Sequence, residues 1–189
     1  NISFTINKGE TVAIMGKTGS GKSTILSLLT RIHDVTGNSK IKIDGHNLTE
    51  YDLYHLRNSM SIVPQDPFLF SDSIKNNIKF GKENATDEEI VNAAKMAVVD
   101  DNIQSFTNKY ETILGERGIT LSGGQKQRVS IARAIIKEAP ILILDDCLSA
   151  VDTETEEKIV NNFKTIFNEK TTIIVTHRAS AAKNANKII

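Results

Sequence analysis

The chain has 189 residues, which is enough for one domain with a sizeable hydrophobic core. Its 23 Lys and Arg residues balance 23 Asp and Glu residues, and a formal net charge of zero argues against a dedicated nucleic-acid binder. The single cysteine, Cys147, excludes an internal disulfide and fits a reducing compartment, and no apolar run approaches the ~18 residues of a membrane helix.

The first part of the chain alternates short apolar runs with helical spacing. Residues 11–15 (TVAIM) predict a buried strand, and residues 22–33 carry apolar side chains at the spacing of a helix. Residues 41–45 combine alternating isoleucines with an Asp-Gly turn signal. Residues 61–63 (SIV) predict another strand, which the following proline ends.

Residues 71–138 differ from their surroundings, because polar helical patterns dominate and no clear strand is visible. After them the pattern predicts a strand over 140–144, a helix over 153–167, a strand over 171–175 and a last helical piece near 179–185. Strands that alternate with helices on both sides of a helical insert predict an α/β fold with a mostly parallel sheet.

The same pattern predicts one domain spanning residues 1–189, with a core over approximately 1–70 and 138–189 and a helical subdomain over approximately 71–137. The chain begins without Met inside an alternating pattern, and residues 187–189 resemble the start of a strand. We therefore expect the sequence to be a piece of a longer polypeptide.

A glycine-rich loop follows the first predicted strand and leads into the first predicted helix. It consists of Gly16, Lys17, Thr18, Gly19, Ser20, Gly21, Lys22 and Ser23, with Thr24 next. The glycines allow backbone N–H groups to turn towards an anion, and the positive end of the helix adds to the attraction. Lys22 would then reach the β- and γ-phosphates, and Ser23 would ligate Mg²⁺. The alternative is a chance glycine-rich turn, which the strand before and the helix after disfavour.

Two adjacent carboxylates end the predicted strand 140–144. Its residues from Ile141 on are apolar at every position, as expected of a strand covered on both faces. With a phosphate loop present, Asp145 fits an aspartate that holds the metal through water, and Asp146 stands where a base would activate water. The alternative is that the aspartate caps the helix that follows.

A third motif, residues 121–125 (LSGGQ), precedes a helical run. Ser122 is a good N-cap, and Gly123 and Gly124 expose the backbone at the helix start, which makes a second anion site ahead of Gln125. An ordinary capped helix is the alternative.

In this order the motifs resemble the nucleotide-binding domain of ABC transporters, over essentially the whole chain. The resemblance implies a phosphate-loop NTPase core of the RecA-like type, with ATP and Mg²⁺ bound. It identifies Gln65 as the Q-loop glutamine, His177 as the switch histidine and residues 149–152, which end in Asp152, as the D-loop. It implies catalytic roles for Asp146, Gln65 and His177.

By the same resemblance, Ser23, Gln65 and Asp145 would hold the metal. The phosphate loop through Thr24, the signature residues Ser122–Gln125 and Asp152 would contact the nucleotide.

The resemblance further implies a head-to-tail dimer with a second nucleotide-binding domain. Each ATP would lie between the phosphate loop of one domain and the signature of the other. Residues 66–81 and 111–125 resemble exporter-type members, with residues 115–118 (GERG) near the membrane domain. We therefore expect the chain at the cytoplasmic face of the membrane, in an integral membrane transporter and without a nucleic-acid partner. Soluble ABC ATPases that act on DNA or ribosomes, and a regulatory nucleotide switch with little turnover, are the alternatives.

Members of this family that hydrolyse ATP usually carry Glu where this chain has Asp146. Asp is shorter by one methylene, and a general base must lie within hydrogen-bond reach of its proton. A misplacement near 1 Å can cost on the order of 10²-fold in rate. The sequence therefore predicts a slow site on this chain's own phosphate loop, typical of one half of a heterodimeric exporter. The alternative is a homodimer with modest turnover.

Overall fold

The computed structural model describes residues 2–167, 170–183 and 185–189. The strands are β1 (Thr11–Met15), β2 (Lys42–Ile43), β3 (His46–Asn47), β4 (Met60–Val63), β5 (Ile141–Asp145), β6 (Thr171–Thr176) and β7 (Lys187–Ile188). The α-helices are α1 (Lys22–Leu29), α2 (Leu53–Asn58), α3 (Ile74–Lys79), α4 (Asp87–Met96), α5 (Asp100–Gln104), α6 (Gly123–Ile136), α7 (Thr153–Phe167) and α8 (Ala179–Ala182).

Five strands form one parallel sheet in the order β4-β5-β6-β1-β7. This arrangement confirms the predicted α/β class with a mostly parallel sheet. In register, Asp145 pairs with Val175, and Met15 pairs with Thr176. The carboxyl ends of β5, β6 and β1 therefore lie side by side, which is where parallel sheets place their ligands.

Apolar side chains cover both faces of the sheet, which explains why β5 has no polar residue before its last position. On one face Ile14 and Ile143 pack in a cluster with α1 and α2. On the other face Leu142 and Leu144 belong to a larger cluster that continues into the helical insert through Ile74 and Ile90. The insert and the sheet thus share buried contacts.

Four helices, α3 to α6, make up the insert. Ser73 caps α3, and capping boxes begin α4 at Thr86 and α6 at Ser122. Residues 71–138, all of which the structure describes, contain no strand; an isolated bridge joins Ser73 to Ile113. The helices agree with the helical sequence pattern of this segment. No helix of the described residues is long and apolar enough to cross a membrane.

The structure corrects several element bounds. Helix α1 ends at Leu29 rather than at residue 33, because Arg31 takes a left-handed conformation with φ of 50°. Helix α2, which the sequence analysis missed, begins where Asp52 accepts a hydrogen bond from the backbone N–H of His55. Helix α8 covers 179–182 of the predicted 179–185, and residue 184 lies outside the described residues.

Candidate functional site

A cleft of about 340 Å³ opens at the carboxyl ends of β1, β5 and β6. Most of the residues proposed for one nucleotide site line it: Gly16, Thr18, Gly19, Gly21, Lys22, Ser23, Thr24, Gln65, Asp145, Asp146 and His177. The parallel sheet brings them together from four separate stretches of sequence, because each stretch follows or flanks the end of a strand.

The loop between β1 and α1 has the backbone geometry of an anion cradle. Gly19 and Gly21 have φ of 82° and 94°, values that a residue with a side chain adopts only with strain. Gly21 is the N-cap of α1, and no side chain caps the helix and no acid stands in its first turn. The N–H groups and the positive end of α1 are thereby directed at whatever lies in the cleft.

Lys22 crosses this loop from the first turn of α1. Its Nζ donates to the carbonyl oxygens of Gly16 at 2.7 Å and Lys17 at 3.0 Å. Lys17 and Ser20 do not line the cleft with the other loop residues. They shape the loop instead, since the Ser20 N–H donates to the Lys17 carbonyl at 3.1 Å and the Ser20 side chain packs against Gly16.

Asp145 is the last residue of β5 and faces Lys22 and Asp146. Burial raises the pKa of Asp145, the neighbouring Asp146 carboxylate raises it further, and the Lys22 ammonium opposes both effects. Within residues 2–167, 170–183 and 185–189, no three His, Cys, Asp or Glu side chains converge on a metal site. Mg²⁺ needs no such cluster, because it takes one or two protein oxygens together with phosphates and water. Asp145, Ser23 and Gln65, which all line the cleft, supply oxygen atoms of the kind that requirement calls for.

Asp146 and His177 meet across the ends of β5 and β6. The Nδ1 atom of His177 lies 3.1 Å from Oδ2 of Asp146, and the Asp146 side chain is 13% exposed. Asp146 takes a left-handed backbone conformation with φ of 44°, and its N–H donates to the Val175 carbonyl at 2.7 Å. The strand end and the histidine together fix where this carboxylate points.

Gln65 is exposed at the mouth of the cleft, just after β4. The buried amide of Gln127, on α6, donates to the carbonyl of Pro64 at 3.0 Å. Six residues on, Arg133 donates to the Phe68 carbonyl at 2.8 Å. Helix α6 therefore holds the segment that carries Gln65 at two points.

The signature residues Ser122, Gly123, Gly124 and Gln125 lie outside this cleft, and so does Asp152. Ser122 and Gln125 form the capping box of α6, with Ser122 N–H to Gln125 Oε1 at 2.9 Å and Gln125 N–H to Ser122 Oγ at 3.3 Å. Asp152 accepts from the Thr155 N–H at 3.0 Å at the start of α7, and this bond lowers the pKa of its carboxyl. The signature and the cleft are thus separate parts of the described structure.

The structure adds residues that sequence reasoning did not single out. Val175 and Thr176 line the cleft, as the last residues of a central parallel strand would be expected to do. Gln127 and Arg178 make contacts to distant backbone, so no local pattern identifies them. His33, His46 and His55 are exposed and do not line the cleft.

Comparison with known proteins identifies the family of this chain. The model of the family described as "ABC transporter" matches residues 1–149 of the chain. The chain belongs to the ABC transporter family. It is an ABC-type ATPase domain. The phosphate loop, the signature and the acidic strand end all lie within the matched residues.

Individual relatives of this ABC domain cover all of its 189 residues. It is 49% identical to a Staphylococcus aureus (strain NCTC 8325) protein named "Putative multidrug export ATP-binding/permease protein". It is 48% identical to Bacillus subtilis (strain 168) YgaD, which carries the same description. The ABC domain spans 32% of the length of both relatives.

A solved structure agrees with the fold of the ABC domain. A bacterial Atm1-family ABC exporter with ATP bound superimposes with a TM-score of 0.93 at 42% identity. The match covers 96% of this chain and 32% of that one. The predicted phosphate-loop NTPase core is thereby confirmed.

Proposed function

We propose that this chain is the nucleotide-binding domain that powers an ABC exporter by binding and hydrolysing ATP. The single observation that carries the proposal is the cleft in which a glycine-rich loop, Lys22 and a carboxylate strand end converge, while the signature lies elsewhere. The names of relatives, which describe multidrug export and an Atm1-family exporter, supply the direction of transport. The substrate would be set by the membrane domain of the transporter.

The residues of the cleft divide the work between them. Backbone N–H groups of the loop and the α1 terminus bind the phosphates, and Lys22 exchanges its two carbonyl partners for phosphate oxygens. Ser23, Asp145 and Gln65 would hold Mg²⁺, which neutralises charge on the β- and γ-phosphates. Asp146 accepts the proton of the attacking water, and His177 orients that carboxylate.

A head-to-tail dimer accounts for the second anion site. Neither Ser122 nor Gly124 lines this chain's own cleft. They would instead face the γ-phosphate held by a second nucleotide-binding domain. ATP binding then shifts the open-closed equilibrium, because only the closed form gives the signature an anion.

The own site of this chain would be the slower one in a heterodimer. Asp146 is held by His177 and by a backbone bond to Val175, so its shorter carboxylate has little freedom to advance towards a water. The intact capping box at Ser122 would complete the site of the partner, which would supply glutamate. Loss of general-base help is worth about 10²–10⁴-fold in rate.

The experiment that tests this division is ATP turnover of the full-length protein in lipid, alone and with candidate partner half-transporters. Each base position is changed separately. We expect Asp146→Asn to change turnover little and the partner's glutamate-to-glutamine change to abolish it. Equal losses from both changes would contradict a degenerate site, and turnover by the protein alone would favour the homodimer.

An exposed apolar patch offers a contact for the membrane domain, at the cytoplasmic face of the membrane. It is built on the neighbouring rings of Phe68, Phe70 and Phe80, and Ile113 and Ile119 are also exposed. Phe70 lies 4.7 Å from Phe80 between ring centroids, and the Arg133 guanidinium sits over both rings. Residues 115–118 adjoin the patch, because Gly118 packs against Leu69. Gln65, three residues before Phe68, would report the phosphate state to this surface.

A further inference from the structure

Arg178 follows His177 directly and is held at three points. Its backbone N–H donates to Oγ1 of Thr176 at 3.0 Å. Its Nη1 donates to Oε2 of Glu156 at 2.5 Å, and its Nη2 donates to the carbonyl of Ser149 at 3.0 Å. His177 is therefore bracketed, because the residues on both sides of it are tied to one another.

The ion pair between Arg178 and Glu156 is largely shielded from solvent. The Glu156 side chain, on α7, is 5% exposed, and the Arg178 side chain is 33% exposed. The planar guanidinium binds a carboxylate and a carbonyl with two different nitrogens, which fixes its plane as a single ammonium could not. The position of Ser149 is thereby set relative to His177.

Ala150, which follows Ser149, contacts the signature. A methyl group at position 124 would lie 3.0 Å from the carbonyl oxygen of Ala150, so a side chain there would push this loop slightly away from α6. Gly124 lies in the first turn of α6, beside the capping box of Ser122. A continuous series of contacts thus runs from His177 through Arg178, Ser149 and Ala150 to the signature.

We propose that Arg178 is a positioning residue that ties the γ-phosphate end of this chain's own cleft to the signature that the chain offers to a second domain. The proposal rests on the function proposed above. When His177 shifts with the contents of the cleft, Arg178 carries Ser149 with it and changes how Ala150 presses on Gly124. Glu156 holds the Arg178 guanidinium in a fixed position, because α7 packs in the core through Ile159 and Phe163.

The test uses the full-length transporter in lipid, with its partner where one is required. Arg178→Met alone removes the Arg178 charge from beside the buried Glu156, which can destabilise the domain. The principal variant is therefore the charge-neutral pair Arg178→Met with Glu156→Gln. We expect kcat to fall on the order of 10-fold, with the Kd of a fluorescent ATP analogue unchanged within about twofold. Arg178→Lys should fall between wild type and the pair, because an ammonium lacks the fork.

A matched control lies on the same helix. Lys158→Met breaks the exposed ion pair of Lys158 with Glu154, and it should leave kcat and Kd at the wild-type values. Because Arg178 and Gly124 act on one contact, adding Gly124→Ala to the neutral pair should cost less than the two changes cost separately.

An unchanged kcat in the neutral pair overturns the proposal, as does full additivity with Gly124→Ala. A parallel loss of kcat, ATP affinity and melting temperature would also overturn it, since it would show general damage. Failure of the unmodified transporter to bind or hydrolyse ATP is a separate result, which would remove the proposed function itself.

Discussion

The imidazole of His177 and the carboxylate of Asp146 meet across the ends of neighbouring parallel strands, with 3.1 Å between Nδ1 and Oδ2. The contact places the shorter acid beside the residue proposed to orient it. The length of the side chain at position 146 can therefore be tested by mutation.

We expect Asp146→Glu to raise the turnover of this chain's own site on the order of 10²-fold, because one more methylene carries the carboxylate towards the attacking water. The measurement is kcat in lipid, in a background where the partner's base has been removed. Glutamate tolerates the left-handed backbone at this position less readily than aspartate, so a small loss of melting temperature should accompany the gain.

The matched variant for this experiment is Asp146→Asn, which keeps side-chain length and removes the base. If Asn and Glu variants had the same turnover, the base at position 146 would not limit the rate.

Lys22 provides the clearest test of nucleotide binding. Its ammonium has two carbonyl partners within the loop, and both Lys22→Met and its control Lys40→Met remove one exposed or half-buried cation. We expect Lys22→Met to abolish the rise in melting temperature that Mg²⁺ and ATP produce, since the phosphates lose their point charge. Lys40→Met should keep the whole rise, and an equal loss in both variants would contradict the assignment.

The raised pKa of Asp145 predicts a dependence of stability on pH. A carboxyl whose pKa is higher in the folded state stabilises the fold while protonated, and this contribution is lost as pH rises through the folded pKa. Asp145→Asn should therefore raise the melting temperature of the nucleotide-free protein near neutral pH. The gain should shrink as pH falls towards the ordinary pKa of 3.8.

Calorimetric scans between about pH 7 and about pH 4 check this expectation, because that window spans the ordinary and raised values for a carboxyl. Asp66→Asn, which removes an exposed carboxylate from the loop after β4, is the control. The same Asp145→Asn variant should lose Mg²⁺-dependent stabilisation by ATP, so the site trades stability for function.

Gln127 links α6 to the residue before Gln65, and its side chain is fully buried. Gln127→Leu leaves the Pro64 carbonyl without its donor, and we expect a loss of about 1–3 kcal/mol in the free energy of unfolding. Denaturant titration measures it. Gln104→Leu, on the exposed face of α5, should cost far less, and equal losses would show that the Pro64 bond contributes nothing.

The parts of the site that sequence could predict are those in which local backbone geometry and residue type coincide. The phosphate loop needs glycine at the left-handed positions 19 and 21, and β5 needs apolar residues on both faces. These requirements leave a pattern that can be read in a single stretch. The helix after Ser122 was likewise predicted from its cap.

The remaining parts depend on contacts between distant segments. Gln127 reaches a carbonyl 63 residues away, and Arg178 reaches one 29 residues away. Neither side chain differs in kind from other polar residues on a helix or after a strand. Helix α2 was missed because it has six residues and buries only Leu56. The end of α1 was missed because a single left-handed residue, Arg31, stopped an apolar pattern that continued to Ile32.

The position of β1 in the sheet has a dynamic consequence. This strand is paired on both sides, with β6 and with β7, and Val12 and Ala13 are completely buried. Amide hydrogens there should exchange with solvent only when the whole domain opens, whereas those of the exposed glycine turn beyond Met15 should exchange through small local fluctuations. The mobile phosphate loop is therefore attached directly to a rigid strand. The loop can adjust to its ligand while β1 keeps its position.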